Sequence, residues 1–168
     1  MNISTKVLTR SALILAIAIA VQSIKMPTFI TGPLVNTLLF IAVATTGSLS
    51  GVLVGLFTPV LAFAFGIMPM APAVPVIMAG NIVLALVFGA IKNNPYLGFI
   101  AAAVAKFAVM AAGVYFILPV LAGINLPPKL VATLSTTQLF TALGGGVIAV
   151  ILLKALQALK KDENTVSE

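Results

Sequence analysis

Apolar residues fill this chain in long blocks, and each block is closed by a short polar, proline or glycine stretch. The first block, 8–24, has Lys6 just ahead of it and Arg10 in its first turn, before the apolar run from Ser11 to Ile24. The stretch from Lys25 to Pro33 is marked by proline and glycine and leads to a second block at 34–46. A tight turn through Thr46, Gly47 and Ser48 opens a third at 50–66. The proline-rich segment Gly66 to Pro72 precedes the fourth, 73–91, which stops at Lys92, Asn93, Asn94 and Pro95. The fifth covers 96–121, and Gly123 to Pro128 separates it from the sixth, 129–159. A polar tail, 162–168, ends the chain. A hydrocarbon core of about 30 Å takes roughly 20 apolar residues as a helix. The pattern predicts an all-α integral membrane protein with six transmembrane helices in a single membrane domain. Run on without a break to Lys161, the sixth helix is about 50 Å long, so its last turns stand in the cytoplasm and the tail is disordered.

Composition agrees. Of 168 residues, 61% are hydrophobic and 7% charged, and the mean hydropathy is +1.25. A soluble domain carries roughly 25% charged residues, far more than this chain could place on a wet surface. The first block also has the form of a secretory signal, but ahead of five further spans it is expected to stay as an anchor.

Charge sets the orientation. Six spans put both termini on one side. With that side inside, Lys6, Arg10, Lys92, Lys154, Lys160 and Lys161 are cytoplasmic, and Lys25 and Lys129 are outside. Such a bias defines an N-in, C-in protein. The net charge of +6 therefore reports topology, and dispersed basic residues without an aromatic surface give no sign of nucleic-acid binding.

The inventory also prunes chemistry. His, Cys and Trp are absent, and the only acids are Asp162, Glu163 and Glu168 in the tail. A metal centre lacks its ligands, acid–base catalysis lacks its usual groups, and a proton relay has no membrane carboxylate. The expectation is a protein that is not an enzyme and carries no cofactor and no metal. No GxxxxGK[ST] loop occurs, so uphill transport would take its energy from a partner.

Few polar residues interrupt the spans. Gln22 and Asn36 count out near the outer surface, Asn81 and Lys106 lie deeper, and Gln138 lies in the outer half of the sixth span. Lys106 either faces a cavity or snorkels to the cytoplasmic face. Asn36, Asn81, Lys106 and Gln138 together supply the convergent polar groups of a small-molecule pocket; singly, Asn81 and Gln138 need only tie helices together. The three outward connections are rich in proline, and Phe29 with Ile30 at the tip of the first is the expected lid, with Met68 and Met70 as adaptable contacts. Small residues recur every fourth position at Ala12, Ala16 and Ala20 and at Gly47, Gly51 and Gly55, where helices pack closely, within the chain or against a partner. Gly144, Gly145 and Gly146 mark a bend or a close crossing.

Six spans in a short chain, the Ala12, Ala16, Ala20 ridge, long outer loops and the run from Gly32-Pro-Leu-Val-Asn36 through Gly47–Gly55 to Gly66-Ile-Met-Pro69 resemble the substrate-binding S-component (ECF-S) of energy-coupling factor (ECF) type ABC transporters. The resemblance covers nearly the whole chain. It implies a bacterial cytoplasmic membrane protein that captures a vitamin or precursor from outside and docks on the ECF transmembrane coupling subunit with its two ATPase subunits. The S-component then topples to release its load. Carried over, Ala12, Ala16 and Ala20 are the docking ridge and Lys25 to Pro33 the lid. Without histidine the chain lacks the nickel or cobalt ligand of some members, and without buried acid it does not suit a cation. A small neutral or anionic nutrient fits best. Two other readings remain: a passive pore for a small solute, and an assembly subunit without a ligand.

Overall fold

The computed structural model describes residues 4–68, 70–91 and 93–166, with side chains except those of Leu121 and 160–166. Pro69 and Lys92 lie outside the described residues, as do Glu168 and the side chains of Lys160, Lys161, Asp162 and Glu163. Among the described residues the only regular structure is helical. The elements are α1 (Thr5–Ser23), α2 (Thr28–Thr46), α3 (Ser48–Ala64), α4 (Ala73–Ala90), α5 (Pro95–Ala112), α6 (Pro128–Leu134) and α7 (Thr136–Val166), and α5 continues as a π-helix over Gly113–Leu121. Five spans are long and apolar enough to cross a membrane: α1, α2, α4, α5 with its continuation, and α6 with α7. The sixth, α3, is a shorter apolar helix. The chain is a multi-pass, all-α membrane protein.

α7 lies along α2 and α5, α4 stands between α3 and α5, and α1 packs on α2 and α3. Ser11 in α1 reaches Ser50 in α3 through a buried 2.7 Å hydrogen bond, and Arg10 donates to the Thr45 carbonyl near the end of α2. The same end of the bundle holds Lys154 over the Tyr96 ring. This is the basic end, the one that the charge pattern of the sequence is expected to place on the cytoplasmic side.

The glycines act by absence of a side chain. A Cβ at Gly145 would stand 2.6 Å from the Pro33 carbonyl oxygen, and one at Gly146 would stand 2.4 Å from the Phe99 ring. α7 is continuous through this triplet, and the triplet is where α7 crosses α2 and α5. Gly51 and Gly55 likewise face Val43, Ala85 and the Asn81 backbone, and their ridge is spent on internal packing.

Four boundaries differ from the sequence reading. α2 begins at Thr28, so most of the expected outer loop is helix. Pro33 costs it one intrahelical bond near the N-terminus, where the freed carbonyl can meet water. The sixth span is broken at Ser135, whose φ of −116° and ψ of −94° are not helical. The α5 winding loosens to π after Gly113, a stretch in which Pro119 has no N–H to give. α7 extends to Val166, well into the stretch expected to be a disordered tail, because Lys, Asp and Glu there tolerate helix.

Two apolar layers fill the bundle. One, at the cytoplasmic end, contains Phe40, Leu84, Phe88 and Phe99, with Phe40 edge-to-face on Phe88 at 4.8 Å. The other, at the outer end, joins Ala73, Val76, Met110, Val114, Leu118 and Leu134. The polar groups lie between them.

Candidate binding cavity

Asn36 is eight residues into α2 and Asn81 eight residues into α4, so both lie about 12 Å below the outer helix ends. Lys106 approaches from the other side, eleven residues or about 16 Å up α5 from its cytoplasmic start. The three meet. Lys106 Nζ donates to Asn36 Oδ1 at 2.7 Å and to Asn81 Oδ1 at 2.8 Å. Its side chain is 2% exposed. The snorkelling alternative is not what forms, because the amine is held by two amides toward the outer half.

Each amide is fixed at its other end. Asn36 Nδ2 donates to the Gly32 carbonyl at 2.9 Å and more weakly to Thr141 Oγ1, while Asn81 Nδ2 donates to the Gly55 carbonyl at 3.2 Å. The Gly55 contact needs the close approach of α3 and α4 that the glycine permits. A buried lysine costs roughly 2.5–3.5 kcal/mol on the insertion scale, and its two charge-assisted hydrogen bonds, at about 1.5–3 kcal/mol each, are of the size needed to offset that.

Above this triad opens a cavity of about 750 Å³. Gln22, Lys25, Thr31, Thr58, Thr133 and Gln138 supply polar edges, and Val35, Pro59, Ala62, Met68, Met70 and Ile77 supply apolar ones. Its size and mixed lining suit a small molecule. The Phe40, Phe88 and Phe99 layer lies beyond the floor, toward the cytoplasm.

Asn36, Asn81, Lys106 and Gln138 all line the cavity, with Asn36 at the floor and not near the surface. The early start of α2 accounts for that difference. Gln138 stands apart from the triad, donating to the Thr133 carbonyl across the Ser135 break. Phe29 is not among the lining residues; it is 68% exposed on the first turn of α2, so the structure does not make it a lid. Its place over the cavity is taken by Lys25 and Met26 from the connection and Thr28 at the start of α2, together with Met68 and Met70. Lys25 adopts a positive φ of 56°, which lets the chain turn sharply between α1 and α2.

Thr141, Thr58 and the glycine carbonyls were not legible from sequence, since a membrane threonine most often bonds its own helix and a carbonyl has no letter. Ala12, Ala16 and Ala20 all lie on the exposed face of α1, away from Ser11 and Ala18, which are buried. This ridge is not used for packing within the chain. The chain matches no family model, no characterised protein and no solved structure, and its function is therefore read from the cavity and the faces around it.

Proposed function

We propose that the protein is the substrate-capture subunit of an ECF-type importer in a bacterial cytoplasmic membrane, taking a small neutral or anionic nutrient from outside. The observation that carries this reading is a cavity open toward the outer end and closed below by Lys106, Asn36 and Asn81. Aromatic packing beneath that floor supports capture over conduction, because Phe40, Phe88 and Phe99 fill the path a solute would need.

The exposed alanine ridge supports a partner. Ala12, Ala16 and Ala20 allow a second helix to approach α1 closely, which is how helices associate in lipid. Beside it, Arg10, Leu13, Ile14, Thr45 and Leu153 line an open groove at the cytoplasmic end. The protein's own membrane carboxylates are nil, so energy for release comes from the ATPase-bearing partner.

Co-expression with the coupling subunit and its ATPases, followed by affinity purification on this chain, tests the assignment. Recovery of the ATPases supports it. Passive solute flux through liposomes holding the pure protein alone would establish the pore reading instead.

A further inference from the structure

Two lysines face one cavity, and no acidic side chain occurs in the first 161 residues to neutralise either. Lys25 lies exposed at the mouth and Lys106 buried at the floor. The acids of the chain are Asp162, Glu163 and Glu168, at the far end of its sequence. An ammonium group has three N–H donors. Asn36 and Asn81 accept two of them, and both acceptors are neutral. Each amide also gives an Nδ2 hydrogen to a glycine carbonyl, and Asn36 gives its second more weakly to Thr141 Oγ1, so both amides are fixed in place. The floor therefore offers one cation with one ammonium N–H still to give, and no counter-ion.

We infer that the cavity takes an amphipathic monocarboxylate, its carboxylate seated on Lys106 and its aliphatic body along Pro59, Ala62, Met68 and Ile77. This rests on the capture reading and narrows its ligand. A single negative charge matches the single buried cation, whereas a phosphate dianion draws on a cluster of cationic donors that one ammonium between two neutral amides does not provide. Among the described lining residues there is no aromatic ring, so the wall packs against a flexible body without stacking on it. Lys25 at the mouth draws the anion inward, an effect that weakens with salt.

The test uses the full-length protein in detergent. Small molecules that co-purify are extracted and identified by mass, and affinities are measured for matched pairs: biotin with biotinamide, lipoate with lipoamide, pantothenate with panthenol. The expected result is an extracted carboxylic acid, or a paired acid binding at least tenfold more tightly than its neutral partner. Lys106→Met should abolish that preference and Lys106→Arg should keep part of it. If Lys106→Met does not fold, the acid-to-neutral ratio on the unaltered protein decides. A neutral extracted ligand, or equal affinities within a binding pair, overturns the anion assignment and leaves capture standing. A phospholipid as the sole bound anion overturns it too, by making the cavity a lipid site. No extracted molecule and no binding by any probe overturns the capture reading as well.

Discussion

Lys106 and Asn81 stand on adjacent antiparallel helices, 25 positions apart in sequence, and the lysine ammonium donates to the amide oxygen at 2.8 Å. With the matching bond to Asn36, this contact ties α2, α4 and α5 together at mid-membrane. Replacing Asn36 or Asn81 by Leu leaves the buried ammonium with a single acceptor, so each variant should lose about 1.5–3 kcal/mol of stability. Adding Lys106→Met should recover part of that loss. Unfolding in detergent across the double-mutant cycle measures the coupling, and strictly additive losses would mean the bonds contribute nothing.

The glycine triplet gives a contrast within three consecutive positions. Gly145→Ala and Gly146→Ala each force a methyl into α2 or α5 and should cost about 1–3 kcal/mol. At Gly144 the nearest atoms are 3.7 Å from a built Cβ, so Gly144→Ala should be neutral or stabilise by up to about 1 kcal/mol through helix propensity. Thermal unfolding of the three variants separates them.

The first helix makes a separate prediction. Ala16 is exposed, so Ala16→Leu should leave thermal stability and ligand binding unchanged while abolishing co-purification with the ATPase subunits. Retention of the ATPases would show that the ridge is not where the partner docks.

Topology can be read without background, because the chain has no cysteine. Thr28→Cys, at the mouth of the cavity, should react in intact cells with a membrane-impermeant maleimide. Gln157→Cys, in the cytoplasmic groove, should react only after permeabilisation. The opposite pattern would invert the orientation.

The six spans were legible because apolar blocks of helix length leave few alternatives in 168 residues. Lys106 could be singled out from inventory alone, as the one basic residue stranded deep inside a span, away from both of its ends. Its partners could not be fixed. Asn36 was misplaced by the proline and glycine at 32 and 33, which read as a loop but sit inside α2, and this shifted the asparagine two turns too far outward. Phe29 was chosen as a lid for the same reason. The Ser135 break left no recognisable mark, since serine also occurs within helices; a φ and ψ outside the helical region are what give it away. Small-residue ridges look alike in sequence, and only packing separates the buried glycines of α3 from the exposed alanines of α1.

Capture of a small molecule on Lys106 underlies both the proposed function and the choice of ligand. Native mass spectrometry of the detergent-purified protein measures that directly. The expected spectrum shows one small-molecule adduct per chain on the unaltered protein, lost or at least tenfold weaker in Lys106→Met. A bare unaltered protein across repeated preparations, or an adduct equally retained by Lys106→Met, would contradict it.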